Sequence, residues 1–263
     1  MSVHPSAVVH PGARLGRDAA VGEYSIIGPE ARLGDRAHIH SHVVLEGRVT
    51  LGDDCEVFPF SLLGCRPGHH KDLGEGTELL IGHRVVIREG ASIHRGTNGG
   101  AGKTVIGDDS MILGQTHIAH DCTLGRHVTM MNGALMAGHV QIGDRVILGG
   151  NCAIHQFARV GDYVMMGGNA SVRMDVPPYC MAAGVGPGLH GLNEIGLERG
   201  GFSTETIHAL RAAYRTLFRT GLPRREGLDR IRKDHAGVKE VIAFADFIAS
   251  SKRGIARHGR SEG

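Results

Sequence analysis

The stretch Val140-Gln-Ile-Gly-Asp-Arg-Val-Ile-Leu-Gly-Gly150, "VQIGDRVILGG", sets Ile142 and Leu148 six residues apart, each followed by glycine. Outward from it the spacing continues without a break, back through Met136, Met130, Leu124, Ile118 and Ile112 to Ile106. It runs forward through Ile154, Val160 and Met166 to Val172, so that 12 of 12 in-phase positions are aliphatic. An earlier run begins at Val3 and passes Val9, Leu15, Val21, Ile27, Leu33, Ile39, Leu45, Leu51, Val57 and Leu63. It skips positions 69 and 75 and resumes at Ile81, Ile87 and Ile93, or 14 of 16 positions. An amphipathic helix repeats at three and four residues and a half-buried strand at two. A period of six with frequent glycine predicts a hexapeptide β-helix. Each hexapeptide is then one short strand and a turn, and three complete a triangular coil. The aliphatic residue points inward, and Gly or Asp/Asn turns the corner. Coils stack at the strand spacing of about 4.8 Å.

Composition agrees. The 263 residues are 41% hydrophobic but only 4% aromatic, with no tryptophan and 41 glycines. Ile, Leu, Val, Met and Ala must therefore build the core, and the glycine excess goes into periodic turning. No apolar run reaches the roughly 20 residues of a membrane helix, and the N-terminus has no signal-peptide pattern. The five cysteines (55, 65, 122, 152 and 180) form no C-x-x-C pair, which fits a reducing cytoplasm. Net charge is +2, yet residues 203–263 hold 13 Lys/Arg against 7 Asp/Glu. That basic end suits an acidic partner, and equally a solvated helical surface.

Two stretches break the period, "CRPGHHKDLGEGTEL" (65–79) and "HRGTNGGAGKT" (94–104), and are expected to protrude as loops. Insertions in a solenoid usually map to a binding face. "GGAGKT" imitates the end of a phosphate-binding P-loop, but Thr97 stands where the first glycine is required and the next segment is β-helical. Beyond about residue 200 the period gives way to helical spacing. Ile207, Leu210, Tyr214, Leu217 and Phe218 share one face, with Ser203 or Thr204 as cap and Gly221 as stop. Val238, Val241, Ile242 and Ile248 mark another helix within 237–251, and a shorter one is expected around Leu228 and Ile231. The expected organisation is a β-helix over 1–190 and a helical domain over 191–263.

The most chemically loaded segment is His117-Ile-Ala-His-Asp-Cys122. With 18 residues per coil, residue n stacks beneath n+18, so His120 lies beneath Gly138 and Gly138 beneath Gln156. Asp121 lies beneath His139, and His155 adjoins Gln156. Such a patch offers a base, a carboxylate to hold its tautomer, and a glycine whose N–H can approach a reacting carbonyl. That chemistry is acyl transfer to a hydroxyl or an amine. A zinc site on histidines, as in β-helical carbonic anhydrases, is disfavoured because Gln115 stands where a ligand is needed and His117 and His120 would point apart. Nothing in the pattern activates Cys122 as a nucleophile.

The stretches "SHVVLEG" (41–47), "IHRGT" (93–97), "HIAHDC" (117–122), "AGHV" (137–140), "AIHQF" (153–157), "DVPPY" (175–179) and "GLNEIGLERGGFS" (191–203) resemble the UDP-N-acetylglucosamine acyltransferases that begin lipid A synthesis. The likeness spans essentially the whole chain. It implies a mostly β fold, a left-handed parallel β-helix with a C-terminal helical domain, assembled as a homotrimer with sites between subunits. It implies that His120 is the base, Asp121 its orienting acid and Gly138 the oxyanion donor. His94, His117, His139, His155 and Gln156 would line the sugar-nucleotide site, with Lys71 reaching in from a neighbouring subunit. Asn193 and Arg199 would hold the nucleotide, and Gly168 would measure the acyl chain. The donor would be a 3-hydroxyacyl thioester of acyl carrier protein, with no further cofactor, no metal and no nucleic acid.

Two departures bear on substrate. The family's "NxxGLxRRGF" reads "NEIGLERGGF" here, so Gly200 replaces a second arginine. His69 stands in the first loop where the family carries an acid, which leaves a 3-amino acceptor sugar as the alternative to the 3-hydroxyl one. The sister N-acyltransferases carry a domain before the repeat, whereas here the repeat starts at Val3. A zinc enzyme and a non-catalytic scaffold are the remaining rivals.

Overall fold

The computed structural model describes residues 2–68, 76–184 and 188–258. Its first two-thirds is a three-sided prism of parallel sheets in which the chain visits each face once per coil. One strand of each coil joins a first face (His38–Ile39, Glu56–Val57), the next a second (His117–Ile118, Leu135–Met136), the third the remaining face (Thr123–Leu124, Gln141–Ile142). Register is n to n+18, as His117 pairs with Leu135 and Leu135 with Ala153. The two insertions show as longer steps, Leu63 against Ile93 and Ile93 against Ile118. A step of 30 residues keeps the phase of six and one of 25 shifts it by one. That is why the aliphatic run resumes in phase at Ile81 but restarts offset at Ile106.

From Val21 onward the period-six residues are buried, while Val3 is exposed at the open end of the prism. A second inward tier lies two residues before each of them and is built from small side chains: Ala31, Ala37, Val43, Cys55, Cys122, Val128, Ala134 and Cys152 are all inaccessible. Large and small residues thus alternate down a dry interior, as close packing requires.

The corners meet the expectation in part, since Gly90 and Gly133 turn two of them at a φ of 70° and Asp or Asn turns several more. They are turned by residues at positive φ, and these include Tyr24, Arg36, Phe60 and Tyr163 as well as Asp18, Asp54 and Asn151. The glycine after the inward aliphatic serves a different end. A Cβ on Gly16 would stand 2.5 Å from the backbone of Gly34, and one on Gly34 would stand 2.4 Å from Gly52. Glycine there lets successive coils approach.

After Ser171–Val172 the chain adds the strand Cys180–Ala183, an antiparallel return over Gly188–Leu192, and four helices. These are α1 (Glu194–Arg199), α2 (Thr204–Phe218), α3 (Arg224–Asp234) and α4 (Lys239–Ala249). Ser203 caps α2 by accepting from the Thr206 N–H. α2 ends at Phe218, before Gly221. Phe244 rather than Ile242 is the fully buried anchor of α4. No helix among the described residues is long and apolar enough to cross a membrane.

Candidate active site

His120 and Asp121 sit on the corner between the second and third faces, immediately after the strand His117–Ile118. Asp121, His139 and Phe157 occupy the same corner in successive coils, at φ of 60°, 62° and 65°. Asp and His tolerate this left-handed conformation better than most residues, and at this corner it points their side chains along one edge. His139 stacks on Phe157 (4.5 Å, 10°) and meets the His120 ring edge-on at 5.1 Å.

The His120 Nδ1–H donates to Asp121 Oδ2 at 2.8 Å, which turns Nε2 away from the carboxylate. The Asp121 side chain is wholly inaccessible while that of His120 keeps 17% of its surface. Three further donors come from the second insertion. The Thr97 hydroxyl reaches Oδ2 at 2.6 Å, and the Thr97 and Gly102 N–H groups each reach Oδ1 at 3.1 Å. His139 Nε2 lies 3.8 Å from Oδ2. Burial alone would raise the Asp121 pKa, but Thr97, His120 and His139 together hold it below the ordinary carboxylate range. The carboxylate stays charged beside the ring it orients. Above this pair, a Cβ built on Gly138 would lie 2.7 Å from His120 Cε1 and 2.8 Å from Nε2, so only glycine leaves the ring its place. No acceptor among the described residues takes the Gly138 N–H.

His94 and His117 lie together one step away, their rings edge-to-face at 4.8 Å. Burial, then the neighbouring histidines and Arg95, pushes His94 down to about 4, and burial lowers His117 as well. Both are neutral imidazoles at neutral pH, suited to hydrogen-bonding uncharged groups. His155 and Gln156 are exposed at the same corner, where Arg253 Nη2 approaches His155 Nδ1 at 3.2 Å. Arg253 returns from the end of the helical region, and no local pattern announces it.

The other expected residues stand elsewhere. Gly168 lies at the corner between the first and second faces, exposed, with only the Gly150 carbonyl near a built Cβ at 3.5 Å. Asn193 and Arg199 line a groove of about 430 Å³ at the third corner with Arg145, Tyr163 and Ile195. The Asn193 amide also does structural work, accepting from Gly196 N–H to cap α1 and donating to the Tyr163 carbonyl at 2.9 Å. A Cβ on Gly200 would meet the Tyr163 ring at 2.6 Å, so that ring fills the space a second arginine would need. Lys71 and His69 lie outside the described residues.

Cys122 belongs to the small inner tier. Burial pushes its thiol up to about 12, away from any thiolate nucleophile. Cys122→Ala should therefore keep full turnover while lowering stability by about 1 kcal/mol for the lost packing, checked by steady-state rates beside thermal melting.

Residues 175–256 match the family model described as UDP N-acetylglucosamine O-acyltransferase, domain 2. An acyl-[acyl-carrier-protein]–UDP-N-acetylglucosamine O-acyltransferase from Thermodesulfovibrio yellowstonii is 44% identical over 255 residues, which cover 97% of this chain and 99% of the relative. One from Burkholderia ambifaria is 47% identical, with 97% and 99% covered. Among solved structures, the UDP-N-acetylglucosamine O-acyltransferase of Moraxella catarrhalis superposes with a TM-score of 0.95 at 39% identity, over 98% of this chain and all of that one. The fold is the left-handed parallel β-helix of those structures.

Proposed function

This chain belongs to the family of acyl-carrier-protein-dependent UDP-N-acetylglucosamine O-acyltransferases, and we propose that it moves a 3-hydroxyacyl chain from acyl carrier protein to the sugar 3-hydroxyl, opening lipid A synthesis, with His120 as general base. The observation that carries the role of His120 is the pairing of its Nδ1 with a buried, four-donor carboxylate. Nε2 takes the proton of the 3-hydroxyl as its oxygen attacks the thioester carbon. The Gly138 N–H steadies the resulting oxyanion. Collapse breaks the C–S bond, and the imidazolium returns its proton to the departing thiolate of the carrier. The relatives are named for transfer to oxygen, which supports the hydroxyl over the 3-amino acceptor. No cofactor enters these steps.

Within one chain the expected residues are spread over all three corners of the prism: His120 on one, Gly168 on another, Asn193 and Arg199 on the third. A site using all of them must combine corners of different chains, which supports a homotrimer with sites between subunits. Apolar side chains exposed on the second face and its corners, Ile26 at 47%, Leu135 at 46% and Phe60 at 68%, support a protein partner there. The basic 203–263 segment suits acyl carrier protein, an acidic donor protein, in the cytoplasm. The helical region from 191 onward would then serve nucleotide and carrier, and the coil of 1–190 the chemistry.

The test is a mass-spectrometric product assay with mixed 3-hydroxyacyl carrier proteins and either UDP-N-acetylglucosamine or its 3-amino analogue. Product on the hydroxyl sugar alone is expected; product on neither would overturn the reading. In the same assay Gly168→Met should shift the product to shorter chains, because a side chain at that exposed corner shortens whatever groove runs past it. An unchanged chain profile would remove Gly168 from the acyl site.

A further inference from the structure

The broken period over 94–104 predicts a loop that protrudes from the coil. Its contacts point inward instead, to Asp121. We propose that Thr97 is a positioning residue of the acyl transfer, and that this insertion is a cradle that fixes the carboxylate which aims His120. The inference rests on the reading of His120 as the base.

Four donors surround the two carboxylate oxygens, and three come from the insertion. Thr97 supplies both its hydroxyl, at 2.6 Å to Oδ2, and its N–H, at 3.1 Å to Oδ1; Gly102 supplies the other N–H. Oδ2 is the oxygen that also accepts from His120 Nδ1, so the Thr97 hydroxyl and the base share one acceptor. Thr97 is itself only 4% exposed. The loop closes hard on its guest, since a Cβ on Gly100 would stand 2.3 Å from Oδ2. Two residues earlier, Arg95 anchors the loop's root by donating to the Gly64 carbonyl at 3.0 Å and to Thr77 Oγ1 at 3.2 Å. Gly64 precedes the first insertion and Thr77 lies near its end, so this buried cation joins the roots of the two insertions.

Without the Thr97 hydroxyl the carboxylate could rotate about its last bond, and the ring it holds would lose its orientation. The titratable and charged groups around it are His120 on its own corner, His139 one coil on, His117 on the strand just before it, His94 one coil back, and Arg95 at the loop root. Of these only His120 bonds to Oδ2, and it is the ring that the carboxylate has to hold. Because the hydrogen bonds lower the Asp121 pKa, the charged form is present above the ordinary carboxylate range and is lost as pH falls through the depressed value. Removing a donor raises that value, so the titration of the carboxyl itself moves to higher pH.

Thr97→Val keeps the branched shape and removes the hydroxyl, while Thr97→Ser keeps the hydroxyl. With UDP-N-acetylglucosamine and acyl carrier protein thioester, Thr97→Val should lower kcat about tenfold, the scale of one hydrogen bond to a charged group. KM for the sugar nucleotide should hold, and Thr97→Ser should restore kcat. In a His120→Ala background the same change should cost nothing more, because Thr97 acts only through that ring. A carbon-13 titration of the Asp121 carboxyl, run without substrate, should show its midpoint raised in Thr97→Val and restored in Thr97→Ser. Wild-type kcat and an unmoved carboxyl titration would overturn the proposal, as would a further loss in the His120→Ala background. An inactive wild type would instead count against the acyl-transfer reading, with the carboxyl titration still deciding the cradle. Should Thr97→Val fail to fold, Thr97→Ala takes its place in the comparison with Thr97→Ser.

Discussion

His120→Ala should lower kcat by roughly 10²–10⁴, the share a positioned general base contributes, with melting temperature and assembly unchanged. The side chain projects from a corner and packs into neither inner tier, so its loss opens no core cavity. Asp121 would keep three of its four donors and remain a satisfied buried anion. The contrast is Asp121→Ala, which strands the buried Thr97 N–H and hydroxyl and the half-buried Gly102 N–H. That variant should lose stability as well as rate, because an unsatisfied buried donor costs about 1–3 kcal/mol. Rates and thermal melts on both variants check this. His120→Ala with near-wild-type kcat would remove the ring from the chemistry, and Asp121→Ala melting like wild type would remove the cradle as a structural element.

Much of this was legible because a solenoid makes distant contacts periodic. Once Ile118 and Met136 are both read as inward, the neighbours of His120 follow by adding 18, and the pairing of His117 with Leu135 is that register. The same arithmetic placed Asp121 beneath His139, which the ring contacts at that corner bear out. What escaped was everything off the period. Thr97 reaches Asp121 across 24 positions because a seven-residue insertion folds back, and no repeat encodes where a loop's donors point. Arg253 meets His155 from 98 residues away for the same reason. The small inner tier was in plain view as Ala, Val, Ser and Cys two places before each large aliphatic. Only the packing shows that those positions face inward, and it explains why the cysteines are scattered singly. Glycine serves two constraints, a left-handed corner at Gly90 and Gly133 and a close approach of coils at Gly16 and Gly34, and a pattern cannot separate the two.

Gly138 is the case in which that distinction decides the chemistry. Its φ is not in the left-handed region, so alanine or leucine there meets no backbone penalty and the coil should form normally. The conflict is with the His120 ring. A first side-chain carbon would occupy a point 2.7 Å from His120 Cε1 and 2.8 Å from Nε2, and the ring must swing aside or lose its bond to Asp121. Gly138→Leu also fills the space in which a thioester carbonyl would approach the Gly138 N–H. The expected result is a loss of about 10²–10³ in kcat, the scale of losing an oxyanion donor, with melting nearly unchanged. Which effect dominates is separable. If glycine serves only to leave room for the ring, Gly138→Ala should cost nothing further once His120 is already alanine. If it also keeps the oxyanion position open, Gly138→Leu should cost another factor in that same background, because the carbonyl is blocked whether or not a base is present. Full activity in Gly138→Leu would exclude both roles together and place the reacting carbonyl on another edge of the prism.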